Sequence, residues 1–293
     1  MPGHGYFTKM TLPFRPMEII RTHHPEGFKS LDTAALRRDF LVAGLFAPGK
    51  IDLRYWEVDR TIIGGAVPLA TPLELTATKE LLAANYFCER REVGIVNLGG
   101  LGSVETDGTS HSLEKLDALY IGKGTKSVKV SSKDPAQPAQ FYIISYPAHT
   151  AYPTKLVKKA SAQVLELGTV ETANRRKLCK LLVPGLVESC QLVLGVTIME
   201  TGSVWNTMPC HTHERRSEVY LYFDVPAKAF VTHYLGRPNE TRHLIVRDRE
   251  AALSPSWSIH SGSGTCAYGF VWAMGGENQE FTDMDAVQME DLR

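Results

Sequence analysis

The sequence predicts an all-β chain, a sandwich or barrel unit repeated once along its length. Three observations carry this: a dominant period of two, turn residues spaced between strand-like runs, and an echo of the first half in the second. Ile51-Asp52-Leu53-Arg54-Tyr55 alternates apolar and polar residues, as a half-buried strand does. Val93 to Leu98, Phe141 to Tyr146, Leu192 to Met199, Val219 to Phe223, Leu244 to Val246 and Ala267 to Trp272 are short runs rich in Val, Ile, Tyr and Phe. Between them, Gly99-Gly100, Asp107-Gly108, Pro184-Gly185, Arg237-Pro238-Asn239 and Gly275-Gly276 supply the residues that turns require. Alternating βαβ units would need a helix after every strand, and helix is scarce. Its clearest candidate is Leu31 to Leu45, where Leu36, Phe40 and Ala43 share a face; Lys79 to Ala84 adds a turn or two.

The echo lies around charged tetrads. Glu89-Arg90-Arg91-Glu92-Val93 leads into a strand in the first half, and Glu214-Arg215-Arg216-Ser217-Glu218-Val219 does so in the second. Each is followed by a second run, Asp117 to Gly122 and Leu253 to Trp257. Charged tetrads before strands also arise by chance, but the shared order of features favours a duplication. Its hinge falls in the polar stretch Lys155 to Lys177.

A length of 293 residues suffices for one large or two ordinary domains. Hydrophobic residues make up 43% and charged residues 22%, which rules out disordered and fibrous classes. Lys plus Arg equals Asp plus Glu at 32 each, and no basic block stands out, so electrostatic nucleic-acid binding has nothing to act through. Every apolar run ends well short of the roughly 20 residues that a membrane-spanning helix needs. The first ten residues have no apolar core of signal-peptide length, so a soluble cytoplasmic protein is expected. Cys88, Cys179, Cys190, Cys210 and Cys266 are scattered, odd in number and without a CxxC pair, which argues against disulfides and a Cys-only zinc site. Cys210 alone stands beside histidines.

The chemistry concentrates in Cys210-His211-Thr212-His213-Glu214-Arg215-Arg216-Ser217-Glu218. On a strand, residues two apart share a face, so His211 and His213 present both imidazoles to one side. Glu218 lies at an odd offset from His213, which strict alternation would send to the opposite face. A tight turn or bulge at 214–217 is therefore expected, carrying Glu218 onto a neighbouring strand beside the histidines. A later strand should supply a third imidazole, and His260 in Pro255-Ser256-Trp257-Ser258-Ile259-His260-Ser261-Gly262 is the best candidate. Three neutral imidazoles and one carboxylate suit Zn²⁺, Fe²⁺, Mn²⁺ or Ni²⁺ and leave coordination positions open for chemistry.

H-x-H-x4-E with a distant His is the metal pattern of the cupin barrels. Four segments go further: Glu89 to Gly100, Pro147 to Lys155, Trp205 to Arg216 and Ser254 to Ser261 closely resemble the 5-keto-4-deoxyuronate isomerase family, the 4-deoxy-L-threo-5-hexosulose-uronate ketol-isomerases of bacterial pectin breakdown. The resemblance runs from about Leu31 to Arg293. It implies an all-β fold of two cupin-like (jelly-roll) barrels in tandem, a bicupin with few short helices. The divisions are an N-terminal arm over 1–30, a barrel without metal over 31–165 and a metal-binding barrel over 166–293. His4, His23 and His24 fall in the arm and receive no role. By the same resemblance one Zn²⁺ per subunit is held by His211, His213, Glu218 and His260, and the chain forms a homo-oligomer, a hexamer. In the first barrel Tyr86 and Cys88 stand where His211 and His213 stand, and nothing in Asp117 to Gly122 replaces His260.

The implied reaction is the isomerisation of 4-deoxy-L-threo-5-hexosulose uronate, a small deoxy-ketouronate, to 3-deoxy-D-glycero-2,5-hexodiulosonate. Its general base is left open among Tyr268, Glu277 and a water held by the ion; Glu214 reads as a solvated turn residue. The substrate carboxylate calls for a guanidinium fork, for which Arg176 and Arg242 are the candidates, with Arg175, Arg215 and Arg216 also available. Trp257, Trp205 and Trp272 are candidates for lining the cavity. His149 and His243 read as structural, and His111 and His233 carry no argument. The alternatives are an Fe²⁺-dependent cupin dioxygenase, which would consume oxygen, and a non-catalytic sugar-binding bicupin, which would bind without turnover.

Overall fold

A computed structural model describes residues 17–77 and 79–293. Nearly all regular structure is strand, arranged as two barrels of the same design. Each barrel pairs a seven-stranded sheet with a four-stranded one. In the first, the large sheet runs Glu18–Ile20, Ile51–Trp56, Thr61–Ala66, Phe141–Pro147, Arg91–Asn97, Ala118–Ile121, Lys155–Val157. In the second it runs Gln163–Leu167, Arg176–Leu182, Val193–Met199, Gly269–Gly276, Arg216–Phe223, Ala251–Ser254, Leu41–Val42. The small sheets correspond too: Leu73–Glu74, Val128–Ser132, Gly102–Thr106, Thr109–Leu113 against Trp205–Asn206, Ser261–Gly264, Val231–Arg237, Glu240–Val246. The duplication expected from the charged tetrads is thus a duplication of topology.

Register makes the correspondence specific. Val93 pairs with Ser145 and Ile121, and Glu218 pairs with Met274 and Ser254. Arg91 and Arg216, each two positions earlier, open the equivalent strands, so Cys88 corresponds to His213 and Tyr86 to His211. The place of His260, immediately ahead of the strand Ser261–Gly264, is taken in the first barrel by Ser127 ahead of Val128–Ser132, outside the Asp117 to Gly122 segment compared in the sequence.

The central strands are buried on both faces, which is why they read as near-continuous apolar runs. Val93, Ile95, Leu119, Phe141 and Ile143 fill the interior of the first barrel. Their alternate neighbours Val96, Tyr142, Ile144 and Tyr146 pack instead on Leu192, Leu194, Val219 and Leu221 of the second barrel. The large sheets approach closely: a Cβ at Gly94 would lie 2.8 Å from Leu192, and one at Gly275 would lie 2.3 Å from the Tyr146 ring. Gly275 and Gly276 therefore close the strand Gly269–Gly276 and do not form the expected turn. Glu92, wholly buried, accepts the backbone N–H groups of Cys190, Gln191 and Leu192 at 2.7, 2.9 and 2.9 Å and the Tyr120 hydroxyl at 2.9 Å. Its counterpart Ser217 donates to Asp59 at 2.6 Å in the opposite direction.

The N-terminal segment departs from the sequence expectations. The helix expected over Leu31 to Leu45 spans only Thr33–Phe40, capped by Asp32, which accepts from the Ala35 N–H at 2.8 Å. Leu41–Val42 then extend and pair with Ala251 and Ala252, so residues 33–42, assigned above to the first barrel, pack on the second. Gln163 and Val164 already pair with Lys180 and Cys179, ahead of the expected boundary at 166. Within the arm, Glu18–Ile20 joins the first barrel while Phe28 is buried in the second, so the segment straps the two together. His24 caps the turn Pro25–Phe28, His23 bonds Asp39, and His4 lies outside the described residues. Lys79–Leu82 forms one helical turn. No helix among the described residues is long and apolar enough to cross a membrane.

Candidate metal centre

His211 lies on the two-residue strand His211–Thr212, which pairs with Asp285–Ala286 of the C-terminal tail. A turn follows, closed by the Arg216 N–H on the His213 carbonyl at 3.1 Å, and Arg216–Phe223 begins there. The turn reverses the chain, so Glu218 faces the histidines despite its odd offset. His260 comes from the four-stranded sheet, immediately ahead of Ser261–Gly264. The ligand atoms of His211, His213, Glu218 and His260 all lie within 4.8 Å of one another.

The internal geometry fits a cation. His213 Nδ1 donates to the Arg216 carbonyl at 2.9 Å, which leaves its Nε2 lone pair aimed at Glu218 Oε2, 3.1 Å away. Two acceptors facing each other repel unless a proton or a metal ion lies between them. His260 Nε2 stands 2.9 Å from the same carboxylate oxygen and 3.0 Å from His211 Nε2. Burial pushes the Glu218 carboxyl up, but the imidazoles of His260 and His213 outweigh it and hold the group below the usual carboxylate range. Burial, with His260 beside it, lowers the His211 imidazole to about 3, so it stays neutral and able to ligate. His213 is drawn down by burial and raised beyond that by its bond to Glu218. A buried set of three imidazoles and one carboxylate is able to hold a divalent ion.

The cluster opens into a cavity of about 330 Å³. Arg176, Thr197, Thr207, Cys210, Arg216 and Tyr220 line it with polar groups. Phe270, Trp272, Met274, Phe281 and Met284 supply the apolar wall. Arg176 lies on the cavity, donating to the Asn174 carbonyl at 2.8 Å, and burial lowers its guanidinium. Tyr220 Oη and Thr207 Oγ1 are 3.0 Å apart, and Thr207 holds its place with a left-handed backbone, φ 46°.

Other candidates lie elsewhere. Arg242 does not line the cavity: it lies on Glu240–Val246, the edge strand of the four-stranded sheet, pairs with Glu240 at 2.7 Å and donates to the Lys29 carbonyl. Trp257 packs edge-on against Phe28 and Phe40, holding the N-terminal segment on the barrel. Trp205 stacks on Tyr234 outside the cavity, while Trp272 lines it. Tyr268 is buried, taking the Asn206 amide and donating to the Val204 carbonyl, and Glu277 is exposed, so neither lines the cavity. Glu214 is exposed and takes the Ser256 hydroxyl. His233, wholly buried and lowered to about 3 by burial, bonds the Tyr222 hydroxyl at 2.8 Å.

Sequence reasoning missed Tyr220 and counted Arg216 only among the further arginines available for the substrate carboxylate. Both sit two positions from Glu218 on one strand, so the period-two rule that selected the histidines also places them on the interior face. Phe281 and Met284 carry no such signal, since they reach the cavity only through the tail pairing of Asp285–Ala286 with His211–Thr212.

Residues 46–291 match the KduI/IolB family. A 4-deoxy-L-threo-5-hexosulose-uronate ketol-isomerase of Lachnoclostridium phytofermentans is 53% identical over 277 residues, 94% of this chain and 100% of the relative. One from Salmonella typhimurium is 48% identical over 278 residues, again 94% of this chain and 100% of the relative. Among solved structures, an IolB-like protein from Salmonella typhimurium aligns with TM-score 0.68 over 85% of this chain and 96% of that one, at 14% identity. Bacillus subtilis oxalate decarboxylase aligns with TM-score 0.53 over 77% of this chain and 71% of that one, at 8% identity. These two likenesses concern the fold, the tandem cupin. On the family match and the near-full-length relatives together, the chain belongs to the KduI/IolB family.

Proposed function

We propose that the chain is an aldose-ketose isomerase that converts 4-deoxy-L-threo-5-hexosulose uronate to 3-deoxy-D-glycero-2,5-hexodiulosonate in uronate breakdown. The observation that carries the reading is the match of 94% of this chain, at 53% identity, to the whole of a relative so named. The reaction moves a proton from one carbon beside a carbonyl to the neighbouring carbon, through an enediolate. One carbon is oxidised and its neighbour reduced, so no external redox partner is needed.

His211, His213, Glu218 and His260 would hold one Zn²⁺ per subunit, which when bound supplies Lewis-acid stabilisation of the negative charge developing on the substrate oxygens. Arg176 receives the substrate carboxylate, its planar fork matching a planar anion. The hydroxyls of Tyr220 and Thr207 offer hydrogen bonds to substrate oxygens. The wall of Phe270, Trp272, Met274, Phe281 and Met284 excludes water from the enediolate. In this reading the first barrel holds no metal and serves packing and assembly. The protein is cytoplasmic and a homo-oligomer, a hexamer by likeness to its family.

The test is an NMR assay of the deoxy-ketouronate with the purified protein. Conversion is expected with zinc bound, to be lost on chelation and to return with added Zn²⁺; reloading with Fe²⁺, Mn²⁺ or Ni²⁺ ranks the alternatives. Failure of the metal-loaded protein to convert the substrate would sink the reading.

A further inference from the structure

Arg91 and Arg216 open corresponding strands of the two barrels, yet their surroundings differ. In the first barrel Arg91 Nε donates to Ser145 Oγ at 3.0 Å, and Nη2 donates to the carbonyls of Arg60 at 2.6 Å and Ser145 at 2.8 Å. In the second, Arg216 is 1% exposed, and only Nη2 is bonded, to the Asp283 carbonyl at 2.7 Å. Nε and Nη1 are buried without a partner. Asp283 Oδ2 stands 3.9 Å from Nε, beyond hydrogen-bond reach, and already accepts from Arg215 and Asn278. The register explains the loss: Ser145 pairs with Val93, and Met274 pairs with the equivalent Glu218. Met274 lines the cavity and offers no side-chain oxygen in place of the Ser145 hydroxyl.

A buried guanidinium with two unanswered nitrogens costs free energy unless an acceptor completes it. Arg216 lies on the cavity wall two residues from Glu218, and its carbonyl fixes the His213 ring. Among its charged neighbours, Glu218 acts most strongly on Arg216. Arg176 and Arg216 both line the cavity.

We propose that Arg216 is a catalytic residue that binds substrate directly, placing its free Nε and Nη1 on an oxygen of the reacting carbons beside the metal ligands. This rests on the isomerase reading. No bond is made or broken by the arginine; it holds charge that grows as the proton leaves carbon. Its contribution is therefore largest in the transition state, and that of Arg176, at the carboxylate, is shared by ground and transition states.

The experiment compares Arg216→Lys and Arg216→Met with Arg176→Met in zinc-loaded protein. It measures metal content, kcat and KM, and the calorimetric affinity for the borohydride-reduced substrate, which cannot isomerise. Both Arg216 variants should keep one zinc per chain and lose about 100-fold in kcat, with KM changed by less than about threefold. Arg176→Met should mainly raise KM and weaken the reduced sugar. If Arg216→Met fails to fold, Arg216→Lys reads the same contrast. An Arg216→Lys enzyme with full zinc and kcat within about threefold of the wild type would overturn the proposal. So would loss of zinc in step with activity, because the arginine would then act only through the turn at His213. If the wild type binds the reduced sugar but does not isomerise the ketouronate, the isomerase reading fails and the Arg216 proposal falls with it; if the wild type isomerises and Arg216→Lys does so equally well, the proposal alone fails.

Discussion

The two barrels put the same strands in the same order and fill one end of the interior in opposite ways. In the first, Cys88 and Val93 are wholly buried among Phe87, Ile95 and Ile121, an apolar plug with no unpaired charge. In the second, the corresponding His213 and Glu218, with His211 and His260, form a buried polar cluster beside a cavity. At the position of the second barrel's polar cluster, the first barrel packs apolar side chains. Where the polar cluster is kept, it is kept at a cost in burial, which a bound cation would offset.

Breaking the second barrel's cluster should have the largest effect. His213→Ala is expected to lose metal and bring isomerase activity to background, with circular dichroism unchanged; elemental analysis beside the activity assay checks this. Exchanging the equivalent residues sharpens the contrast. Val93→Glu places an unpaired carboxylate in the apolar plug and should destabilise by about 3–5 kcal/mol in urea unfolding. Glu218→Val should abolish metal binding yet leave the metal-free protein within about 1 kcal/mol of the wild type, since it removes a buried charge.

A smaller effect concerns pH. Burial lowers His233 to about 3, while in the unfolded chain it titrates near 6.5. Below pH 6.5 the unfolded state binds the proton and the folded state does not, so stability should fall as pH falls from about 6.5 toward 3. Between pH 6.5 and 5 this group accounts for about 2 kcal/mol, and His233→Phe should flatten that slope in urea titrations. The smallest effect is expected at Cys88. Burial pushes its thiol up to about 12, so it should resist thiol reagents at pH 8 until the protein unfolds, and Cys88→Ala should leave metal content unchanged.

Much of this design was legible in the residues, because the fold rests on local rules. Period-two runs marked the central strands, and the Glu-Arg-Arg tetrads aligned the barrels in the register that the sheets adopt. HxH, the turn after it and a later His located the cluster. The rest depends on long-range placement. Leu41–Val42 has a helix-like pattern but is drawn into the second barrel's sheet by pairing with Ala251 and Ala252. Gly275-Gly276 has turn composition, yet it is required for close sheet packing against Tyr146. Arg242 and Trp257 were chosen for side-chain type alone, and type does not say which side of a sheet a strand occupies. Arg176 satisfied the same criterion and does line the cavity.

The most direct test of the central claim is elemental analysis of the purified wild-type protein, read together with its turnover of the deoxy-ketouronate. One divalent ion per chain is expected, with activity that rises in proportion to occupancy. Full turnover from protein carrying no metal would contradict that claim.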